Sequence, residues 1–115
     1  QRTQRYYTSD PANYPIGGTK PVVPGHWSSS LFEDAVPYVG HDADAIRDVF
    51  ADHALIISLG CESVLNIPVA TNGTVVGTLN LLHGPGWYQN ANLDVAQIIA
   101  AVAAPTLMRV RPDPI

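Results

Sequence analysis

The most reactive side chain in this sequence is its single cysteine, Cys61. It lies where a predicted helix gives way to a predicted strand, a position at which a thiolate can be stabilised. A lone cysteine cannot form an internal disulfide, and no second thiol is present to resolve a sulfenic acid. We therefore predict that Cys61 is a small buried residue, as free cysteines commonly are, and not a catalytic group.

The histidines show no spacing typical of a metal site, and no cysteine pair accompanies them. They are His26, His41, His53 and His83. Asp42 and Asp44 are accounted for by helix capping and by attraction to the helix dipole. No Gly-x-Ser-x-Gly elbow, phosphate loop or pair of catalytic carboxylates can be placed. The sequence predicts no catalytic residue and no metal site, and it leaves any cofactor unknown.

Two asparagines interrupt segments that are otherwise apolar on both faces. Asn66 lies in "SVLNIPV" and Asn80 lies in "GTVVGTLNLLH". A side-chain amide in an apolar strand costs on the order of 1–3 kcal/mol if it is unpaired. Each asparagine is therefore expected to have a hydrogen-bond partner in the core, to lie at a bulge, or to contact a ligand.

The turn between these segments predicts their register. Asn72-Gly73 is a pair typical of two-residue hairpin turns, and regular pairing from it places Asn66 opposite Leu79 and Leu65 opposite Asn80. In that register the two asparagines point to opposite faces of the hairpin. At most one of them would then contact a ligand directly.

Aromatic residues are concentrated around the irregular stretch from Gly17 to Gly40. An apolar pocket with a few polar groups is what a small-molecule site requires. We predict a ligand-binding set made of these aromatics and the two asparagines: Tyr7, Trp27, Phe32, Tyr38, Asn66 and Asn80.

Helices and strands must position these residues. The segment "RTQRYYTS" has strand character with Tyr6 and Tyr7 on opposite faces, and "HWSSSLFEDA" predicts a short helix capped by a serine. Residues at helical spacing predict one helix from Asp42 to Gly60 with a single buried face, made of Ile46, Val49, Phe50, His53, Ala54 and Ile57. A last helix begins at the cap Asn92 and is kinked or ended by Pro105.

Composition restricts the classes of partner. The net charge is −4 and the six Lys and Arg residues are scattered, so the phosphate-neutralising patch of a nucleic-acid-binding protein is missing. No apolar run approaches the roughly 20 residues that cross a bilayer. The sequence predicts a single domain over residues 1–115, located in the cytoplasm, with neither nucleic acid nor membrane as partner.

The order of these elements resembles the GAF domain, a small-molecule sensor and signalling module related to PAS domains. The match runs from about Tyr6 to Met108, and its most specific part is the strand pair "SVLNIPV" and "GTVVGTLNLLH". The resemblance implies an α+β fold: a central antiparallel sheet with helices on one face and a pocket of loops and short helices on the other. The helix that usually opens the family is missing, so we expect a piece of a larger protein or a helix that is disordered or supplied by another chain.

The resemblance implies a non-catalytic, small-molecule-binding regulatory domain. One alternative is a redox enzyme of the methionine sulfoxide reductase type that uses Cys61, although several cysteines cooperate in those enzymes. Bilin-binding members typically have His after their cysteine, where this chain has Glu62. A further alternative is a pocketless dimerisation module.

The C-terminal helix predicts a homodimer. Its apolar stripe is expected to pack on the sheet, and its alanine-rich remainder, which includes Ala100 and Ala104, carries too little charge for a solvent-exposed face. The remainder is expected to meet the missing helix or a second copy of the chain. The stripe consists of Val95, Ile98, Ile99 and Val102.

Overall fold

A three-stranded antiparallel sheet forms the centre of the structure, a computed structural model that describes residues 1–109. The elements in chain order are β1 (Arg2–Gln4), β2 (Thr19–Pro21), α1 (His26–Ser28), a π-helical segment (Ser29–Glu33), β3 (Tyr38–Gly40), α2 (Ala43–Val49), α3 (His53–Ser58), β4 (Ser63–Thr71), β5 (Thr74–His83), α4 (Leu93–Ala101) and α5 (Ala104–Arg109). The order in the sheet is β3-β4-β5, whereas within the described residues β1 and β2 pair only with each other and form the β1–β2 arm. The predicted α+β class is confirmed.

The first strand is shorter than predicted. β1 ends at Gln4, so Tyr6 and Tyr7 lie beyond it and are exposed. Beyond β1 the backbone N–H of Arg5 donates to the carbonyl oxygen of Gly18, and the N–H of Gly17 donates to the carbonyl oxygen of Arg5, where the loop to β2 begins and ends. The arm is therefore a short antiparallel pair closed by a long loop.

The helix predicted from Asp42 to Gly60 is two helices. Asp42 caps α2 by accepting a hydrogen bond from the N–H of Ala45, and Gly60 has the expected positive φ of 82°. Between these ends Phe50 adopts an extended conformation, with φ −107° and ψ 123°. The prediction of a single buried helical face was therefore wrong, because the break turns α3 so that Ile56 is its buried residue.

The hairpin of β4 and β5 turns at Asn72-Gly73 as predicted. Both residues have positive φ, 51° and 76°, and Ala70 pairs with Val75. Beyond that pair, Val69 faces Gly77, so one extra residue of β5 forms a bulge. Such a bulge shifts every later pair by one residue.

This shift overturns the predicted faces of the two asparagines. Asn66 lies directly opposite Asn80, and Leu65 lies opposite Leu81. Directly opposed residues in an antiparallel pair share a face of the sheet. Asn66 and Asn80 therefore point to the same side, and the prediction of opposite sides was wrong.

The turn supplies a first testable prediction. A Gly73→Val variant is expected to lose more than about 1 kcal/mol of stability, because a β-branched residue is strained at the φ of 76° that this turn needs. Gly84→Val is the control, since Gly84 has no positive φ and open space where a Cβ would stand. The measurement is the urea midpoint of each variant, and equal midpoints would contradict the turn geometry.

Both faces of β4 are covered. On one face Leu65, Ile67 and Val69 pack with Ala100 and Ala104 of the C-terminal helices. On the opposite face Val64 packs with Ile46 of α2 and Ile56 of α3. β4 is buried over most of its length because it is central, whereas β5 lies at the edge of the sheet and is largely half-exposed.

The C-terminal helices contact the sheet through their alanine side, which is opposite to the side predicted. Asn92 caps α4 by accepting from the N–H of Val95, and the helix ends at Ala101, so the predicted cap and the interruption before Pro105 are confirmed. Ala100 is 0 % exposed against the sheet, whereas Ile98 is 69 % exposed. The small alanine side chains let the helix approach the sheet closely, and the apolar stripe faces outward.

No helix within residues 1–109 combines the length and the apolar character needed to cross a membrane.

Candidate functional site

An open cleft of about 2650 Å³ is lined by about half of the described residues, from the β1–β2 arm, α1, the π-helical segment, the central sheet and α5. All six residues of the predicted ligand-binding set line it: Tyr7, Trp27, Phe32, Tyr38, Asn66 and Asn80. Sites for single drug-sized ligands are roughly 300–1,000 Å³. A small molecule would therefore occupy only part of this cleft, and the arrangement of its floor determines which part.

The floor carries a row of polar side chains across all three strands. Tyr38 of β3 pairs with Asn66 of β4, and Asn66 pairs with Asn80 of β5. The Nδ2 group of Asn66 donates a hydrogen bond of 2.8 Å to Oδ1 of Asn80. The bulge in β5 makes this contact possible, because regular pairing from the turn would place Leu79 opposite Asn66.

Trp27 lies against this row from above the sheet. Its indole Nε1–H donates a hydrogen bond of 3.2 Å to Oδ1 of Asn66. Its ring makes edge-to-face contacts with Phe32 at 5.9 Å and with Phe50 at 5.4 Å between centroids. These contacts fix the ring orientation, which in turn fixes the direction of the indole N–H.

The short helix that positions Trp27 begins differently from the prediction. Gly25 is the N-cap of α1 and no side chain caps the helix. The hydroxyl of Ser28 donates to the carbonyl oxygen of Gly25, which is a bond within the turn. The predicted serine cap was therefore wrong, and the segment from Ser29 to Glu33 continues as a π-helix that carries Phe32.

The residues of the predicted ligand-binding set differ in their solvent exposure. Asn66 is 2 % exposed and fully enclosed by the fold, whereas Asn80 is exposed at the edge strand. Tyr7 is 77 % exposed and stands at the rim. The structure therefore brings Trp27 and the two asparagines into one hydrogen-bonded group and leaves Tyr7 apart from it.

Phe50 and Tyr14 also line the cleft, and neither was in the predicted set. Phe50 was assigned to a helix face, and its role beside Trp27 depends on a helix break that the apolar spacing did not reveal. Tyr14 has a buried hydroxyl without a hydrogen-bond partner among residues 1–109, and burial, followed by the charge of Asp52, raises its pKa. Tyr14 lies in a loop rich in Pro and Gly, where no periodicity or motif in the sequence indicated that its side chain would be buried.

Two charge contacts involve the arm and its loop. Lys20 of β2 forms an ion pair of 2.6 Å with Asp52, which lies between α2 and α3. The guanidinium of Arg5 lies 5.0 Å from the centroid of the Tyr14 ring. The ion pair connects the arm across the cleft to the helices on the far side.

Cys61 also lines the cleft and is half-buried. Burial raises the pKa of its thiol above the usual range, because the charged thiolate is disfavoured away from water. At neutral pH the group is therefore the protonated thiol, which is a poor nucleophile.

The state of Cys61 supplies a second testable prediction. Iodoacetamide is expected to alkylate Cys61 in the folded protein at pH 7 more slowly than in the same protein unfolded in urea, because the buried thiol ionises less. The rate should rise as the pH approaches the raised pKa. Mass spectrometry of quenched samples gives both rates, with Cys61→Ser as the unreactive control, and faster labelling of the folded protein would contradict the prediction.

Among the described residues, no group of three or more His, Cys, Asp and Glu side chains is placed to hold a metal ion. Comparison with protein-family models, with curated proteins and with solved structures finds no match for this chain.

Proposed function

We propose that this protein is a GAF-like regulatory domain of the cytoplasm that binds a small molecule in the cleft and performs no catalysis. The observation that carries the proposal is the group formed by Trp27, Asn66 and Asn80 on the cleft floor. A polar group of this kind, set among aromatic walls, is the usual composition of a small-molecule site.

The arrangement of layers supports the GAF-like part of the proposal. The resemblance implies a sheet with terminal helices on one face and a pocket of short helices and loops on the other. Here α4 and α5 pack on one face, while α1, the π-helical segment and the loops around them adjoin the cleft, which residues of α5 also line. The two-sided burial of β4 follows from this arrangement.

The raised pKa of Cys61 supports the non-catalytic part of the proposal. A reductase of the methionine sulfoxide type needs a thiolate that attacks and a second thiol that resolves the product. The chain contains one cysteine, and burial disfavours its thiolate.

Native mass spectrometry of the protein purified from its source cells tests the proposal. A retained ligand appears as a mass difference between the native and the denatured protein. Thr78→Trp should abolish this difference, because Thr78 lines the cleft next to the row of polar side chains. Thr74→Trp places the same bulk at the exposed hairpin turn and should retain it. A mass difference that Thr78→Trp leaves unchanged would contradict binding in the cleft.

A second proposed role is homodimerisation, favoured by the outward face of α4. Val95, Ile98, Ile99 and Val102 form an exposed apolar surface, and monomeric proteins rarely expose large patches of this kind. None of the four is charged, so a two-fold arrangement brings no like charges together. The face now proposed as the interface is the stripe, whereas the sequence had assigned that role to the alanine side.

Sedimentation velocity tests the dimer. The unmodified chain is expected to sediment as a dimer, and Ile98→Glu as a monomer, because two carboxylates would meet at the interface. Ala54→Glu adds the same charge at an exposed position of α3 and should leave the dimer intact. A monomer before any substitution, or a dimer after Ile98→Glu, would exclude this interface.

A further inference from the structure

The hydrogen bonds on the cleft floor have a fixed direction. An indole N–H only donates, so the atom of Asn66 that faces Trp27 must be the carbonyl oxygen. The Nδ2 group of Asn66 then faces Asn80, whose Oδ1 accepts from it. The Nδ2 group of Asn80 is consequently the last donor of the series, and it finds no acceptor within residues 1–109.

Each bond in such a series strengthens the next. A donor that binds an amide oxygen polarises that amide, so its N–H groups become better donors. Trp27 thus polarises Asn66, and Asn66 polarises Asn80. Because Asn66 is 2 % exposed, water does not compete within the first part of the series. The series ends in a donor on Asn80, which is exposed and lines the cleft.

Charged residues near this row bear on whether the ligand's acceptor is a neutral carbonyl or an anionic group. Asp48 lines the cleft near Tyr38, which pairs with Asn66. Burial, then the negative charges of Asp48 and Asp42, raise the pKa of Tyr38. The basic residues that line the cleft belong to the β1–β2 arm with its loop and to α5, and Lys20 among them is paired with Asp52; they are Arg2, Arg5, Lys20 and Arg109. A ligand whose body extends from Asn80 over Tyr38 meets the negative potential at Tyr38, which favours a neutral carbonyl over an anionic acceptor.

We propose that Asn80 recognises a neutral carbonyl oxygen of an aromatic or apolar ligand, through amide N–H donors that Trp27 and Asn66 orient and polarise. This inference rests on the proposed binding function of the cleft and adds the chemical class of its ligand. The aromatic side chains Trp27 and Tyr38 provide the surface for the ligand body.

Three simple probes test the proposal in NMR titrations of the ¹⁵N-labelled chain: acetophenone, which has a neutral carbonyl, benzoate, which is anionic, and benzylamine, which is cationic and carries no acceptor oxygen. Acetophenone is expected to shift the side-chain amide signals of Asn80 and the indole signal of Trp27. Benzoate should bind more weakly, and benzylamine should leave the Asn80 amide signals unchanged.

Variants separate recognition from folding. Asn80→Asp keeps the shape and removes both N–H donors, so its affinity for acetophenone should fall about tenfold, the effect of losing one ligand hydrogen bond. Asn90→Asp makes the same chemical change at an exposed position outside the cleft and should bind as the unmodified chain does. Trp27→Phe should weaken binding and move the Asn80 amide signals even without a probe, because the first donor of the series is lost.

The outcomes distinguish this inference from the proposed function. Shifts at Trp27 and Tyr38 without any at Asn80 would retain the binding cleft and overturn the role of Asn80. Unchanged acetophenone affinity in Asn80→Asp would overturn it as well, and tighter binding of benzoate than of acetophenone would overturn the neutral class. If no probe shifts any cleft residue, both the inference and the proposed function fail.

Discussion

Ala100→Glu is expected to destabilise the domain severely, whereas a glutamate two positions earlier, in Ile98→Glu, leaves the stability of the single chain unchanged. Ala100 is 0 % exposed between α4 and β4, and a glutamate there overfills the core and buries a carboxylate. Overpacking costs about 1–3 kcal/mol and an unpaired buried charge several more, so we expect a loss of at least about 4 kcal/mol. Typical domains have only about 5–15 kcal/mol of stability in total.

Urea denaturation at several protein concentrations provides the measurement. Ala100→Glu should be destabilised at every concentration, because its defect lies within one chain. Ile98→Glu should differ from the unmodified chain only at concentrations where the latter dimerises, since loss of a partner acts by mass action. If Ile98→Glu were the more damaging variant at low concentration, the orientation of α4 described above would be reversed.

The second large effect is expected at Asn66. Asn66→Ala removes the acceptor for the indole N–H of Trp27 and the donor to Asn80, and it leaves a small cavity in a fully buried site. An unsatisfied buried polar group costs about 1–3 kcal/mol, and with the cavity we expect a loss of about 2–4 kcal/mol.

Asn80→Ala is the matched control, with an expected loss below about 1 kcal/mol. Asn80 is exposed, so water can replace the partner that Asn66 loses. Thermal or urea unfolding followed by tryptophan fluorescence measures both variants, and Trp27 reports directly on the site. Equal losses at the two positions would indicate that Asn66 is hydrated and that the series of hydrogen bonds is open to solvent.

Local signals in the sequence predicted the ends of elements well. Asp42 and Asn92 act as N-caps, Gly60 takes the left-handed conformation, and Asn72-Gly73 forms the turn. Each of these depends on the conformational preference or hydrogen bonding of one or two residues. The α+β class was implied by the GAF resemblance, which depends on the order of the elements that these signals delimit.

Packing decided the features that the sequence analysis missed. The larger apolar side chains of α4 were assigned to the core, yet the alanines lie there because the helix approaches the sheet closely. Phe50 fits the helical spacing and still breaks the helix, where its ring reaches Trp27. In both places tertiary contacts outweighed a pattern that was read along one helix.

The sequence analysis selected side chains for the candidate site, but it did not predict their geometry. Aromatic clustering and the two polar residues in apolar strands led to six side chains that line the cleft, and their role in binding stays a prediction. The hydrogen bond between Asn66 and Asn80 depends on a bulge, and no turn or periodicity signal marks that bulge. Counting regularly from the turn separated two residues that bind each other.

The bulge also determines how the hairpin can change in length. Between Val75 and Asn80 the strand holds one residue more than regular pairing with β4 requires. Deleting one residue there, such as Val76, would leave Asn66 opposite Asn80 in an uninterrupted ladder, and so would inserting one between Asn66 and Ala70. Inserting a residue between Val75 and Asn80, or deleting one between Asn66 and Ala70, would require a second bulge to keep Asn66 opposite Asn80. Among homologous chains that retain this site, we therefore expect hairpins with a shorter β5 or a longer β4 and not the reverse.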